Sequence, residues 1–202
     1  MRPETEALIV IDVQNDFCPG GALAVAGGDQ IIPRINALMD EFQTVVLTQD
    51  WHPVNHASFA ANHSGAAPFS LTEMPYGPQV LWPVHCVQGT PGAAFHPDLR
   101  TDPAQLVIRK GFRPGIDSYS AFFENDRRTA TGLEGYLRSR GITGLVLVGL
   151  ATDYCVAYSA MDAARLGFAA TLLEGACRAI DLDGSLASAR SETLAAGVVW
   201  AG

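Results

Sequence analysis

The sequence predicts an α/β protein of three layers, helices lying on both sides of a mostly parallel sheet of roughly six strands. Two observations carry this. Short, continuous apolar runs rich in branched residues recur along the chain, as strands buried on both faces require. Between them stand segments with apolar residues at helical spacing, and that alternation folds as parallel strands joined by helical crossovers. At 202 residues, with 48% hydrophobic and 17% charged, the chain can build one substantial core. A chain of this size buries about 70% of its unfolded surface. One domain over 1–202 is expected, with no internal repeat or low-complexity linker.

Taken in order, Ala7 to Val13 (ALIVIDV) reads as the first strand and Thr44 to Thr48 as the second. Between them Ile31, Ile32, Ile35, Leu38, Met39 and Phe42 recur at helical spacing, with Asp29 after Gly27-Gly28 as the expected cap. Leu106 to Arg109 is a third strand, and a helix follows around Gly132 to Arg140, closed by Gly141. Leu145 to Leu150 is a strand, and a helix opens at Cys155 and runs to about Leu166 before Gly167. Ala169 to Leu173, the helix Ser185 to Ala196, and Val198 to Trp200 complete the pattern. The interval 50–103 breaks the rhythm: it is rich in Pro, Gly, His and aromatics and has little periodicity. So long a connection in a compact domain is usually functional or disordered. Its aromatic and histidine content favours a site-forming loop.

Composition excludes some partners. The formal net charge of −8 gives no basic patch for nucleic acid or an anionic membrane. No stretch reaches the ~20 apolar residues of a membrane span. The opening MRPETEALIVIDVQNDF does not read as an export signal, its apolar run being short and broken by Asp12. Cys18, Cys86, Cys155 and Cys177 do not read as a disulfide framework, so reduced thiols in the cytoplasm are expected.

In an open α/β sheet, ligands bind beyond the carboxyl ends of the strands. Asp12, Asp50, Lys110 and Cys155 each fall at or just past such an end. A thiol on the first turn of a helix meets unpaired N–H groups and the positive end of the macrodipole, which favour thiolate. Cys155, Lys110 and Asp12 make sense together as a nucleophilic set for an amide, which needs a strong nucleophile and a proton for the departing amine. A buried Asp–Lys pair that merely organises strand ends is the competing reading. Asp50 and His52, one residue apart, share a face in an extended segment, and His85 follows farther along. One carboxylate and two imidazoles suit Fe(II), Mn(II) or Zn(II). His56, His63 and His96 lie in the same stretch and read as exposed loop histidines without metal; spacing alone does not choose the ligands. Phe17, Trp82 and Tyr119 could wall a flat aromatic substrate, although buried aromatics are more often core. Gly20-Gly21 and Gly27-Gly28 fit no phosphate-binding pattern and read as turns.

Over essentially its full length the chain resembles bacterial nicotinamidases (pyrazinamidases) within the isochorismatase-like cysteine hydrolases. The carriers are IVIDVQNDFCPGGALAV, TQDWHPVNHASF, LWPVHCVQGTPGAAFHPDL, RKGF and VGLATDYCV. The resemblance implies the isochorismatase-like hydrolase fold and one divalent metal ion (Zn, Fe or Mn). It implies deamidation of nicotinamide to nicotinate and ammonia through a thioester, with pyrazinamide also accepted. It matches Asp12 to the acid/base, Lys110 to the family lysine and Cys155 to the nucleophile. Asp50, His52 and His85 match the metal ligands, and Phe17 and Trp82 the residues that sandwich the ring, with Leu23 and Tyr119 at the pocket wall. The N–H groups of Ala151 and Cys155 match the oxyanion hole, and Leu150–Ala151 a cis peptide. Some relatives have a further histidine ligand where this chain has Ser58, which leaves the fourth ligand open among Ser58, His56 and water. A metal-independent amidase for carbamoyl or ureido substrates is the alternative on the same fold, and a non-catalytic small-molecule-binding module the alternative from another class. The resemblance does not choose between monomer and homo-oligomer.

Overall fold

The structure is a computed structural model describing all 202 residues. Its strands are β1 (Glu6–Ile11), β2 (Thr44–Asp50), β3 (Leu71–Met74), β4 (Gly77–Val80), β5 (Leu106–Lys110), β6 (Gly144–Leu150), β7 (Ala169–Arg178) and β8 (Val199–Ala201). The helices are α1 (Ile32–Met39), α2 (Leu133–Ser139), α3 (Ala157–Arg165) and α4 (Ser185–Ala195). Six strands form one sheet in the order β5-β2-β1-β6-β7-β8, and every neighbouring pair is parallel. The predicted α/β sheet is therefore present.

The order has a mechanical consequence. The chain steps outward from β1 to β2 to β5, then crosses back to lay β6 on the other side of β1 and steps outward again. Loops leaving β1 and β6 thus part in opposite directions, and a crevice opens between their carboxyl ends. Burial explains why these are the central strands. Every residue of β2 and β6, and of β1 beyond Glu6, is buried, which requires packed layers on both faces. At the sheet edge β5 alternates instead, with Val107 and Arg109 exposed.

Close packing at the crevice depends on Gly149, whose φ is +118°. A Cβ there would lie 2.1 Å from the carbonyl oxygen of Ile11, so no other residue lets β6 approach β1 at this point. β7 runs on to Arg178 rather than ending near Leu173. Its pairing with β6 jumps from Leu147↔Leu172 to Gly149↔Cys177, a bulge that Glu174 and Gly175 conceal in the sequence pattern.

Two helix starts differ from expectation. Asp29 does not cap α1: it lies inside a 3₁₀ turn, Gly28–Ile31, and no side chain caps either segment. The chain enters this turn through Gly27 in the left-handed region (φ 66°), so the helical path has begun before Asp29. Likewise, the helical path does not open at Cys155. A π turn spans Thr152–Val156 and leads into α3.

The 50–103 segment is ordered around its own hairpin, β3–β4. Its two limbs also pair directly: His52 N donates to Cys86 O (3.0 Å), Gln88 N to His52 O (2.9 Å) and Trp82 N to Ser58 O (2.7 Å). That pairing brings His52 and His85 together from sequence-distant positions. No helix is long and apolar enough to cross a membrane. All four cysteines are free and buried.

Candidate active site

The site forms at the crevice that the strand order creates. Asp12 follows β1, Asp50 ends β2, Lys110 ends β5, and the turn holding Cys155 follows β6. Lys110 is the hub. Fully buried, its Nζ lies 2.8 Å from Asp12 Oδ2 and 2.9 Å from Asp50 Oδ1. It also donates to Ser118 O at 2.9 Å and stands 3.4 Å from Cys155 Sγ. The expected nucleophilic set and the expected metal set therefore share one ammonium.

Asp12 is held from its other side. Thr48 Oγ1 donates to Asp12 Oδ1 at 2.6 Å, while Oδ2 faces Lys110 Nζ at 2.8 Å and keeps a further lone pair to take a proton. Asp12 itself adopts a left-handed conformation (φ 50°), which turns its side chain at the strand end. Burial raises the Asp12 carboxyl above its ordinary value, and Lys110 offsets this only in part. Burial works against the charge on Lys110 too, but Asp12 and Asp50 outweigh it and hold its pKa well above the usual range.

Cys155 departs from the expectation of a ready thiolate. Burial pushes its thiol well up; Lys110 opposes this, while Asp12 and Asp50 add to it. Burial first, and the nearby carboxylates with it, outweigh what Lys110 offers and favour the thiol over the thiolate. The pocket therefore needs a base that acts during the reaction, and the neighbouring Asp12 carboxylate is one.

The second cluster has a chemistry of its own. His52 Nδ1 faces Gly111 O at 2.8 Å and His85 Nδ1 faces Pro83 O at 2.8 Å. A carbonyl oxygen only accepts, so both Nδ1 atoms carry the proton. In the neutral rings both Nε2 lone pairs then point at Asp50 Oδ2, at 3.0 Å and 3.4 Å. Lone pairs directed at a carboxylate oxygen require a positive charge between them, a proton or a metal ion. Burial opposes an imidazolium at His52, yet Asp50 outweighs it and raises the pKa. Ligating histidines of metal sites are oriented in this way, by a backbone carbonyl behind the ring, so the donor set fits a divalent ion. Gly111 makes room for the His52 ring: at φ 65° a Cβ would sit 2.4 Å from His52 Cε1.

A pocket opens above the thiol. Phe17, Leu23, Trp82 and Tyr119 line it with Asp50, His85, Ala151 and Cys155, so the proposed wall residues meet both clusters. The Leu150–Ala151 peptide is cis. His56 departs from expectation, being fully buried rather than exposed, because the loop folds back over it. His63 is half-buried and bonds Ala57 O at 2.6 Å. His96, 20% exposed, lies beside Asp98 rather than in the site.

Several site residues escaped sequence reasoning. Asp117, Tyr154 and Ile180 also line the pocket. Gln79 of β4 donates to Asp117 Oδ2 (2.9 Å) and lies 2.8 Å from the Tyr119 hydroxyl, which also accepts from Trp82 Nε1 at 3.0 Å. Gln14 clamps β2, donating to Asp50 O and accepting from Asp50 N. Asp153 accepts from the backbone N–H groups of Ile180 (3.0 Å) and Asp181 (2.8 Å), fixing Ile180 at the wall. The available signal was weak: single polar residues beside recognised motifs, such as Asp117 two positions before Tyr119.

Comparison with known proteins agrees with this geometry. The isochorismatase domain model matches residues 6–200. A nicotinamidase from Acinetobacter baylyi is 61% identical over 192 residues, 95% of this chain and 90% of the relative. A nicotinamidase/pyrazinamidase structure from Acinetobacter baumanii superposes with TM-score 0.98 at 58% identity, covering 99% of this chain and 97% of that one. A pyrazinamidase of Pyrococcus horikoshii in complex with zinc superposes with TM-score 0.78 at 38% identity, covering 98% and 99%. The chain belongs to the isochorismatase domain family, on the branch that holds the nicotinamidases.

Proposed function

We propose that this protein is a metal-dependent cysteine amidohydrolase that converts nicotinamide to nicotinate and ammonia, and that accepts pyrazinamide as well. One observation carries the proposal: a single buried ammonium, Lys110, lies against the base Asp12, the thiol Cys155 and the metal-facing Asp50, beneath an aromatic pocket. Its resemblance to nicotinamidases over nearly the whole chain supports the substrate.

Asp50, His52 and His85 would hold a divalent ion, which would supply a Lewis-acidic anchor for the pyridine nitrogen and so set which way the carboxamide faces. Zinc, iron and manganese all suit this donor set. Phe17 and Trp82 hold the ring, with Leu23 and Tyr119 closing the wall. Asp12 takes the Cys155 proton as sulfur attacks the carboxamide carbon. The N–H groups of Ala151 and Cys155 hold the oxyanion. As the C–N bond breaks, Asp12 returns the proton to the departing ammonia, leaving a thioester on Cys155. Asp12 then deprotonates a water that attacks the thioester, nicotinate leaves, and the thiol recovers its proton. Lys110 keeps Asp12 oriented and its charge balanced between the two proton transfers. Four free buried thiols suit a reducing, cytoplasmic location.

The test is release of ammonia and nicotinate from nicotinamide, before and after chelation, with a carbamoyl amide run in parallel. Release from nicotinamide that falls on chelation and returns with metal is expected. Turnover of the carbamoyl amide alone, unaffected by chelation, would overturn the proposal in favour of a metal-independent amidase.

A further inference from the structure

We propose that Gln79, on the β3–β4 hairpin, is the positioning residue of the ring-binding wall: its side-chain amide holds the Tyr119 hydroxyl, which in turn fixes the Trp82 indole. The inference rests on the proposed function, in which Trp82 holds a flat heteroaromatic ring, and names the residue that sets that grip.

A glutamine only 1% exposed is costly to bury unless its polar atoms are paired, and here the pairing runs into the pocket wall. The orientation of the amide follows from its neighbours. Tyr119 N donates to Asn125 Oδ1 at 3.0 Å. A backbone N–H only donates, so the other end of the Asn125 amide, Nδ2, carries the protons. That Nδ2 lies 3.1 Å from one end of the Gln79 amide, which must therefore be the oxygen. The Tyr76 hydroxyl donates to the same oxygen at 3.2 Å.

Gln79 Nε2 then faces the Tyr119 hydroxyl at 2.8 Å, Asp117 Oδ2 at 2.9 Å and Val80 O at 2.8 Å. Its two N–H groups serve these three acceptors, and since an amide nitrogen does not accept, the hydroxyl is held by donation from Gln79. The reversed amide would set an oxygen against a carboxylate and a carbonyl.

Trp82 depends on that hydroxyl. Its main chain is fixed on both sides, N donating to Ser58 O (2.7 Å) and O accepting from Ala60 N (2.9 Å), but these bonds leave the side-chain torsions free. The directed polar contact of the indole is Nε1 to the Tyr119 hydroxyl, at 3.0 Å. The two rings meet edge to face, centroids 6.1 Å apart at 77°, so a turn of either moves the other. Tyr119 is thus tied at both ends to one glutamine, its N–H through Asn125 and its hydroxyl directly. Gln79 bonds none of Asp12, Lys110 and Cys155, which places its effect on ring binding rather than on proton transfer or attack.

The experiment is a double-mutant cycle on steady-state nicotinamide hydrolysis, each protein loaded to the wild-type metal content: wild type, Gln79→Met, Tyr119→Phe and the double variant. Gln79→Met keeps the stem and removes the donor. KM should rise about 3–10-fold, the worth of one buried hydrogen bond, with a smaller change in kcat. Tyr119→Phe should raise KM by a similar factor. In the Tyr119→Phe background Gln79→Met should add less than about twofold, because the link it breaks is already gone. Circular dichroism confirms that each variant folds. Gln79→Glu, which keeps the shape and the acceptor for Tyr76 and Asn125 but lacks the N–H groups, replaces Gln79→Met if that chain does not. A wild-type KM in Gln79→Met, or two KM increases that multiply in the double variant, would overturn the inference; the second result would move the role of Gln79 to Asp117. Failure of the wild type to hydrolyse nicotinamide would overturn the proposed function, and this inference with it.

Discussion

Replacing Lys110 with methionine separates charge from packing at the centre of the site. Methionine keeps the length and most of the volume of the lysine stem, so the cavity cost is small. What disappears is an ammonium with no solvent exposure, set 2.8 Å from Asp12 Oδ2 and 2.9 Å from Asp50 Oδ1. Removing one member of a buried ion pair costs about 3–5 kcal/mol. Here two carboxylates lose their counter-charge, so the metal-free protein should lose about 4–5 kcal/mol. For a chain of this size that is a fall of roughly 8–20 °C in melting temperature. A bound divalent ion still neutralises Asp50, so the loss should be smaller in the metal-loaded protein. Catalysis should suffer separately. Without Lys110 the Asp12 carboxyl, already raised by burial, rises further, and a protonated carboxyl cannot accept the thiol proton. A fall in kcat of about 10²–10⁴ is expected, the usual worth of a general base. Calorimetry on metal-free and metal-loaded protein, with steady-state ammonia release, reads both effects. A melting temperature within about 3 °C of wild type, equivalent to ~1 kcal/mol, together with normal kcat, would refute the reasoning.

Other perturbations follow from the same geometry. Thr48→Val removes the hydroxyl that donates to Asp12 Oδ1 at 2.6 Å; that bond favours the charged form, so its loss raises the carboxyl and moves the acid limb of kcat/KM to higher pH. An unshifted limb would show that Asp12 is not the titrating base. Gly111→Ala drives a Cβ to 2.4 Å from His52 Cε1, so metal content after dialysis should drop, about tenfold in affinity or more; full metal retention contradicts the packing of that ring. Asp153→Ala frees the segment that carries Ile180, and with about 1.5–3 kcal/mol of hydrogen bonding lost KM should rise more than kcat falls. A kcat effect at constant KM would count against Asp153 as a positioning residue.

How far the sequence reached depended on the kind of signal. Buried parallel strands announce themselves as apolar runs, so Ala7–Ile11 and Leu145–Leu150 were legible, as were the residues at their ends. The two expected clusters meet as the motifs suggested, Asp12 and Asp50 on opposite sides of Lys110. The β3–β4 hairpin was illegible because its strands have four residues each, one containing Pro78, and neither alternates clearly. The bulge in β7 hid behind Glu174 and Gly175. Cys155 shows the limit on electrostatics: its place near a helix start was visible, but the burial that raises its thiol, and the carboxylates Asp12 and Asp50 that add to it, come from the packing of sequence-distant segments. The burial of His56, expected exposed, and the place of Asp117, not singled out, were illegible for the same reason, since both are set by partners such as Ile116, Ser58 and Gln79 that no local spacing reveals.

The claim that everything else serves is that Cys155 attacks the amide with Asp12 as its proton carrier. Ammonia release from nicotinamide by Cys155→Ala, loaded to the same metal content as wild type, tests it most directly. The account predicts release indistinguishable from the metal-matched buffer control, with metal binding intact. Turnover at a substantial fraction of the wild-type rate would contradict it, and would shift the chemistry to an attacking water in place of the thiol.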